Sequence, residues 1–508
     1  MFRRLLLAAL VASTAVAGPA LSAKKDDTLV WATDRENPIV DSSYINTREM
    51  VIIGSLVYDR LIHLDEKYQP QPLLATSWKW ESPTVLDMEI RKGVKFHSGK
   101  ELDAEDVAYT INFIVDKNNK SFTYSYVSWV KSVEATDKHK VRITLNKAFP
   151  TALINLAGAV NIQQKGHYDT ATAKPDGSKD FGAVPANGTG PYKVTELKPG
   201  QSILMVKNDA YWEGSPKGKP QISKILYRTI KDANTRLAEV MTGAIDWVWD
   251  VPKDQAERVK VAPNLVVENA KTMRFSYLAF DVKGITPDKR FMDKRVRQAF
   301  AHAINRESLV KNLVGTPSEV TNSPCHPDQF ACAQDVTTYE YSPEKAKKLL
   351  ADAGHPNGFE FDLVAYRERE FTEAIIGDLV KVGLKPKLTF MQYAPMVQGI
   401  HKGQVAVYNG TWGSSSIPDV TAAIGHFFTG TPDDLTKDEA VMKLISEADG
   451  TIDPERRKAI WKQAQQRIAD EAYWVSLFTY AKYYVYSKEL DFKATSDEIP
   501  QFFKAKWK

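Results

Sequence analysis

The clearest indication of fold class is the segment 360–391, EFDLVAYREREFTEAIIGDLVKVGLKPKLTFM. Glu360–Val364 and Lys387–Met391 have the length and composition of short strands, and Thr372–Val382 between them has apolar residues at helical spacing. A strand, a helix and a second strand in this order predict two parallel strands joined by a right-handed crossover. The segment therefore predicts an α/β fold.

Helices and strands continue to alternate on both sides of this segment. Helices are predicted near Thr47–Leu56, Asp103–Val115, Asp293–Ile304, Pro343–Ala353, Ala394–His401, Asp438–Ala448 and Pro454–Asp470. Strands are predicted at Leu29–Thr33, Leu86–Ile90, Val141–Leu145, Asn269–Asp281, Val405–Thr411 and Val475–Tyr486, with a hairpin over Tyr192–Val206. The segment Thr170–Gly190 is rich in Gly, Ala, Asp and Lys, which predicts a surface excursion.

Length and composition restrict the class of protein. A chain of 508 residues is expected to form about two to four domains. Hydrophobic residues make up 43% and charged residues 26%, which excludes a disordered, collagen-like or coiled-coil chain. The formal net charge is +4 and no basic block occurs, so the composition is not that of a nucleic-acid-binding protein.

The N-terminus has the three parts of a secretory signal peptide. Arg3 and Arg4 precede the apolar run Leu5–Ala12, and small residues follow as far as Ala23. We therefore expect residues 1–23 to be removed and the mature chain to reach the periplasm. No cysteine lies near the cleavage region, so we expect no lipid anchor there. No later stretch has the ~18 apolar residues of a spanning helix, so we expect a soluble mature chain.

The two cysteines, Cys325 and Cys332, lie seven positions apart. In an oxidising compartment two cysteines this close usually form a disulfide, worth ~2–3 kcal/mol for a loop of this size. The alternative is a metal site with His326 and Asp328. The segment lacks the paired Cys-x-x-Cys spacing of structural zinc sites, which favours the disulfide.

Sequence motifs for catalysis are missing. There is no Gly-x-x-x-x-Gly-Lys-Ser/Thr, His-Glu-x-x-His or Gly-x-Ser-x-Gly. Gly188-Thr189-Gly190 is half of a dinucleotide-binding fingerprint, but Pro191 follows where a helix is required. The histidines are scattered without metal-ligand spacing. These observations favour binding over catalysis, so we expect neither an enzyme nor a bound cofactor or metal.

Four blocks of sequence carry a family resemblance. They are Pro72–Trp78 with Ile90–Gly99 and Asp103–Val107; Gly188–Tyr192 with Asn208–Trp212; Arg295–Asn305; and Tyr341–Leu350 with Ala353 and Gly354. In these blocks the chain resembles the solute-binding proteins of the peptide/nickel ABC-importer family, in particular its oligopeptide- and dipeptide-binding members. The blocks follow the family order across nearly the whole mature chain.

The block Arg295–Asn305 also has a clear amphipathic pattern. Val296, Ala299, Phe300 and Ala303 lie at helical spacing. We therefore expect this helix to bury one apolar stripe and to leave Arg295, Arg297 and Gln298 in solvent.

The resemblance implies a two-lobed periplasmic binding protein fold with a hinge between the lobes and an extra subdomain in the first lobe. The chain is expected to cross between the lobes near Val267–Tyr277 and Val475–Tyr484. The first lobe then holds residues 24–270 and 480–508, with the subdomain inserted at about 60–185. The second lobe holds residues 271–479.

The resemblance also implies positions for a ligand. In peptide-binding relatives, an Asp three residues after a Trp in the second lobe pairs with the α-amino group of the ligand. The Trp here is Trp412, which we expect to contact the ligand, the alternative being a tryptophan that only packs in the core. The position three residues later is Ser415, which has no charge. Asp419 is the candidate substitute, and Ser414 and Ser415 either bond the ligand or form only a polar turn. The change disfavours an ordinary peptide with a free amine.

Arginines are expected at the other end of the ligand. Arg367 and Arg369 follow a strand at its carboxyl end, where α/β sheets bind ligands, and relatives use an arginine in this region for a carboxylate. The alternative is a solvated run in which both pair with neighbouring glutamates. Tyr44 and Asn46 follow the first strand in a loop that faces the cleft in relatives, and either is also suited to packing within the loop.

The sequence thus predicts a periplasmic solute-binding protein of an ABC importer. We expect a monomer that captures a peptide or peptide-like solute between its lobes and delivers it to the inner-membrane permease. The alternatives are a binding protein for a non-peptide solute, such as an opine, a glutathione-like compound or a sugar conjugate, and then a secreted hydrolase that uses two of the many acidic residues.

Overall fold

The computed structural model describes residues 24, 26–158 and 160–508, and for Ser415 it describes the backbone only. The signal peptide predicted for residues 1–23 lies outside the described residues. The strands are β1 Thr28–Thr33, β2 Ile62–Leu64, β3 Pro70–Pro72, β4 Ala75–Ser82, β5 Val85–Ile90, β6 Val130–Asp137, β7 Lys140–Leu145, β8 Tyr192–Lys198, β9 Ser202–Lys207, β10 Lys224–Thr229, β11 Trp247–Trp249, β12 Leu265–Phe280, β13 Glu360–Ala365, β14 Lys385–Phe390, β15 Val407–Trp412, β16 Trp474–Ser487, β17 Leu490–Asp491 and β18 Lys506–Trp507.

The helices alternate with these strands along the chain. They are α1 Arg48–Val57, α2 Ala104–Val115, α3 Tyr124–Val127, α4 Ala152–Leu156, α5 Ala233–Thr242, α6 Lys253–Val259, α7 Lys294–Ala303, α8 Arg306–Leu309, α9 Pro343–Asp352, α10 Arg369–Lys381, α11 Tyr393–His401, α12 Ile424–Phe427, α13 Glu439–Asp449 and α14 Pro454–Asp470. Within the described ranges, no helix is both long enough and apolar enough to cross a membrane.

The segment 360–391 forms the parallel pair that its sequence predicts. β13 and β14 run parallel, with Glu360 opposite Lys385 and Ala365 opposite Phe390. The helix α10 connects them and buries Ile375 and Leu379. It begins at Arg369, three residues before the predicted Thr372, so the loop between β13 and α10 is shorter than the sequence indicates.

One mixed ten-stranded sheet passes through the whole molecule, in the order β14-β13-β15-β12-β16-β11-β1-β10-β9-β8. At its centre the long strands β12 and β16 pair antiparallel. Their pairing shifts register between Lys271 and Phe275. On one side of this shift β16 pairs with β11, and on the other side β12 pairs with β15. The two long strands therefore connect two halves of the sheet.

The N-terminal half of the chain also forms a second, smaller sheet, which makes a separate layer. Its order is β4-β5-β7-β6, and α2 packs against β6. These elements enclose a hydrophobic core of their own, with members from Leu61 to Ile162. The predicted surface excursion that follows contains short turns and one isolated bridge between Ala173 and Lys179. This unit is the extra subdomain that the sequence predicts.

Gly188 and Gly190 have a structural role in their block. A Cβ atom on Gly188 would lie 2.0 Å from the carbonyl oxygen of Val57, and one on Gly190 would lie 2.5 Å from that of Leu56. The backbone of this segment packs directly on the end of α1. The glycines thus serve close backbone packing, which agrees with the absence of a dinucleotide-binding helix.

The prediction for Arg297 is wrong. The helix α7 buries the expected stripe, but Arg297 is also buried, at 2% exposure. Its guanidinium donates hydrogen bonds to the carbonyl oxygens of Phe291, Met292 and Glu471 at 2.7–2.9 Å. A long side chain on the polar edge of a helix can reach a ring of carbonyls that a helical pattern does not show.

Candidate functional site

A polar cavity of about 580 Å³ lies where the two halves of the large sheet meet. The loop after β1, the first turn of α1 and the end of β11 line it from the first half of the sheet. Residues on β12, on β16 and in the loop after β13 line it as well, and Tyr126 of α3, Arg236 of α5 and Glu498 of the C-terminal tail complete the lining. Its volume falls within the ~300–1,000 Å³ typical of small-molecule sites.

Charged side chains dominate the lining of this cavity. The cationic residues are Arg35, Arg48, Arg236, Arg274, Arg367 and Lys482, and the acidic residues are Asp34, Glu49, Asp250 and Glu498. The described lining therefore has two more positive than negative groups. A concave site with an excess of one charge attracts solutes of the opposite sign, so the cavity suits an anion.

Glu498 is the centre of an ion-pair network at the junction of the two halves. Its carboxylate lies 2.8 Å from Nζ of Lys482 and 3.5 Å from a guanidinium nitrogen of Arg48. Lys482 also lies 3.8 Å from Asp250. Burial acts to raise the pKa of Glu498, but the charges of Lys482 and Arg48 outweigh it and lower the pKa to about 2. The carboxylate thus stays ionised and fixes both cations.

Arg274 is one of two cavity cations without a carboxylate partner among the described residues; the other, Arg236, donates to the backbone carbonyl oxygens of Ile230 and Lys231. Arg274 lies in β12 at the register shift, and its Nη1 donates to the hydroxyl of Thr411 at 3.1 Å. Within the described residues no carboxylate lies within 4.0 Å of it. A Cβ atom on Gly413 would lie 2.9 Å from Nη2 of Arg274, so the guanidinium rests on the bare backbone of that glycine.

Arg367 lies in the same part of the cavity and has a carboxylate partner. Its Nε is 3.0 Å from Glu368, whose other carboxylate oxygen accepts a hydrogen bond from the hydroxyl of Tyr480 at 3.2 Å. Burial raises the pKa of Glu368, and the nearby charge of Arg367 acts against this. Arg367 is therefore oriented towards the cavity by a half-buried acid.

The backbone is strained around the cavity. Five non-glycine residues with left-handed φ lie in or next to its walls: Asp250 (58°), Glu368 (38°), Ser414 (52°), Ser416 (61°) and Glu498 (57°). Such conformations cost of order 1–3 kcal/mol each and persist where surrounding contacts determine them. Their concentration at this cavity is typical of a functional site.

The two halves also touch each other directly across the cavity. Arg48, the first residue of α1, donates to the hydroxyl of Ser416 and to the carbonyl oxygen of Asp497. Ser416 belongs to the turn after β15 and also donates to the carbonyl of Asp497. Beside this contact lies a second, smaller cavity of about 100 Å³. Arg48 therefore closes one end of the larger cavity.

Two of the predicted ligand residues, Asn46 and Arg367, line the cavity. Tyr44 does not: its hydroxyl donates to the carbonyl oxygen of Asn119 at 3.0 Å and its ring stacks on Phe181. Tyr44 therefore packs against distant segments of the chain, around Asn119 and Phe181, and not into the cavity.

Arg369 and Trp412 also lie outside the lining. Arg369 is on the surface, with a side chain 58% exposed and an ion pair of 2.7 Å to Glu373 one turn along α10. The indole of Trp412 donates to the carbonyl oxygen of Ala422 and stacks on His426. These contacts fit the alternatives of a solvated arginine and a packing tryptophan.

The structure places Asp419 in a buried ion pair and not in the lining of the cavity. Its side chain is 1% exposed, and both oxygens are bound by the guanidinium of Arg457, at 2.6 and 2.8 Å. The carboxylate has no free side to offer an ammonium. Ser414 is buried as well, at 1% exposure. The side chain of Ser415 lies outside the described residues.

Cys325 and Cys332 are joined by a disulfide. Both sulfurs are thereby unavailable to the alternative metal site. The loop that they close packs beside Asp419, where Phe330 forms an isolated bridge with that residue. The disulfide supports the segment that leads from β15 to the contact with Arg48.

Sequence reasoning missed Arg48, Arg274, Lys482 and Glu498. Arg274 and Lys482 lie in the two strands predicted to cross between the lobes. Charged residues in those strands could therefore have indicated the site. Arg48 directly follows Thr47, where the sequence predicts the helix to begin and whose side chain caps α1. Glu498 lies in the C-terminal tail, and no sequence pattern indicates that it belongs to the site.

The chain matches the family model for bacterial extracellular solute-binding proteins, family 5 Middle, over residues 69–434. It is 27% identical over 450 residues to heme-binding protein A of Haemophilus influenzae, covering 82% of this chain and 81% of that one. It is 29% identical over 517 residues to the glutathione-binding protein GsiB of Salmonella paratyphi A, covering 95% and 94%.

A solved structure shows the same architecture. The periplasmic binding protein DppA of Helicobacter pylori, in complex with the peptide STSA, superposes with a TM-score of 0.76 at 25% identity, covering 95% of this chain and 99% of that one. The fold is thus that of a two-lobed periplasmic binding protein. The chain belongs to the family 5 bacterial extracellular solute-binding proteins, whose members bind substrates for ABC importers.

Proposed function

We propose that this protein captures a short peptide or peptide-like solute in the interlobe cavity and delivers it to an ABC permease in the inner membrane. It acts as a monomer in the periplasm, after residues 1–23 have been removed. The lobes have the limits predicted from the sequence, residues 24–270 with 480–508 and residues 271–479. Its activity is binding, without catalysis.

The observation that carries this proposal is the charged cavity at the junction of the lobes. Guanidinium groups bind carboxylates in a bidentate manner, and carboxylates such as that of Asp250 suit an ammonium. A peptide-like solute offers both groups. The described lining contains no His, Cys or Met, Tyr126 is its one residue of a type that ligates heme iron, and it offers few apolar side chains to a porphyrin face. Among the relatives' ligands, the cavity therefore favours peptides and glutathione over heme.

The register shift in the two long strands supports closure around the solute. Lys271 and Phe275 bracket the point at which regular pairing is interrupted, so bending there disturbs few ladder hydrogen bonds. Two-lobed receptors usually close around a bound solute by bending at a few such residues.

The test combines calorimetry with small-angle scattering on a panel of trialanine, alanyl-glutamyl-alanine, glutathione and hemin. We expect a peptide-like member to bind, to reduce the radius of gyration and to stabilise the fold by ~2.7 kcal/mol at one hundred times its Kd. Tight binding of hemin alone, or turnover of a bound peptide, would contradict the proposal.

Two arginines provide a matched pair of variants. Arg367→Gln removes a cation from the cavity, and Arg369→Gln removes one from the surface two positions away. We expect the first to weaken binding about 10- to 100-fold, the range for a hydrogen bond to a charged group, and the second to leave it unchanged. Equal effects of the two variants would place the solute elsewhere.

A further inference from the structure

Arg274 is placed as a binding group whose partner is not part of the protein. A guanidinium has five N–H donors, and among the described residues this one has a single side-chain acceptor, the neutral hydroxyl of Thr411 at 3.1 Å. Arg48 and Arg367, by contrast, each have a carboxylate within 4.0 Å, and Arg236 donates to two backbone carbonyl oxygens. Arg274 keeps its charge and several donors for another molecule.

The position of this guanidinium is fixed by a glycine. Gly413 leaves room for Nη2 of Arg274, since a Cβ atom there would lie 2.9 Å from that nitrogen and 3.2 Å from Cζ. Thr411 holds the opposite nitrogen. A planar cation held on two sides next to a solvent-filled cavity is preorganised for a planar anion, and a carboxylate matches its geometry.

Among the described residues no acid forms an ion pair with Arg274, although its charge affects the pKa of two nearby acids. Its charge acts to lower the pKa of Glu368 and of Glu498. Each of these acids is already bound by closer cations, Arg367 for the first and Lys482 for the second. The positive charge at Arg274 therefore remains available.

We propose that Arg274 binds a carboxylate of the solute and that Gly413 is its positioning residue. The described lining has two more positive than negative groups, and Glu368 beside Arg367 offsets one of them. The remaining positive charge then favours solutes with a net negative charge, that is, peptide-like molecules with a second carboxylate besides the terminal one. This inference rests on the proposed function and adds to it the class of substrate. Because Arg274 lies at the register shift of β12, the carboxylate is bound at the crossing between the lobes.

The test measures affinity for acid and ester forms of the same probes. Glutathione and alanyl-glutamyl-alanine are compared by calorimetry with their diethyl esters and with trialanine. We expect wild type to prefer the free acids over both the diesters and trialanine. Arg274→Gln should weaken binding of the acids about 10- to 100-fold and leave the diesters nearly unaffected.

Two further variants separate position from charge. Gly413→Ala keeps the charge but displaces the guanidinium, so it should reproduce the selective loss for the acids. Arg274→Lys keeps the charge but lacks the planar guanidinium that binds both oxygens of a carboxylate. It should therefore retain more affinity than Arg274→Gln and less than wild type. Arg369→Gln is the surface control, and circular dichroism verifies the fold of each variant.

The outcomes distinguish this inference from the function on which it rests. If no peptide-like probe binds wild type, the proposed function fails and the inference fails with it. If probes bind but Arg274→Gln affects acids and diesters equally, or if trialanine binds wild type as tightly as the dicarboxylates, only the inference is overturned.

Discussion

Replacing Asp419 by Asn removes one partner of a buried ion pair. Asp419 and Arg457 are 1% and 4% exposed, and two hydrogen bonds of 2.6 and 2.8 Å join them. The substitution keeps the size of the side chain but leaves the guanidinium buried without its counter-charge, which typically costs ~3–5 kcal/mol. For a cooperative unit of the size of the second lobe, each kcal/mol lowers Tm by ~2–4 °C, so we expect a loss of ~6 °C or more.

Differential scanning calorimetry measures this loss, and titration calorimetry with a bound probe measures affinity in the same samples. We expect Asp419→Asn to lower Tm and to leave the Kd of the folded protein unchanged. Combining it with Arg457→Met should recover part of the stability, because the double variant no longer buries an uncompensated guanidinium. A variant with unchanged Tm and an affinity loss of more than tenfold would show that Asp419 binds the solute, which would refute the structural role.

Three further outcomes follow from single features of the fold. The folded-state pKa of Glu498, about 2, lies below its usual value of 4.5. Wild type should therefore lose stability as the pH falls from ~4.5 towards 2, whereas Glu498→Gln should be less stable at pH 7 and lack this part of the acid dependence in a calorimetric pH series. Replacing Cys325 and Cys332 by Ser should cost ~2–3 kcal/mol in urea unfolding, and dithiothreitol should destabilise wild type but not this variant. Gly188→Ala places a Cβ atom 2.0 Å from a backbone oxygen and should lower stability severely, whereas Gly377→Ala, with nothing within 4 Å in α10, should not.

Local patterns were sufficient to predict most of the fold. The strand–helix–strand pattern of 360–391 depends on residues close in sequence, and the structure confirms it. Arg297 shows where such patterns fail. Its burial depends on carbonyl oxygens of Glu471 and Ala472, more than 170 positions away, and a helical pattern cannot contain that information.

The candidate site was less predictable because it forms at a crossing of distant segments. Asn46 and Arg367 could be proposed since they follow strands whose ends face the cleft in relatives. Arg274 and Glu498 come together only when β12, β16 and the C-terminal tail meet. For Asp419 the sequence shows an acid near the position of interest, but not that Arg457 occupies it.

Native mass spectrometry of protein taken from its own periplasm tests the central claim most directly. Wild type and Arg274→Gln are purified under mild conditions, and any bound solute is released and identified. We expect wild type to carry a small peptide-like solute with a net negative charge and the variant to have lost most of it. A bound solute that is neutral, cationic or a porphyrin, or one retained equally by both proteins, would contradict a charged interlobe cavity that selects anionic peptide-like solutes.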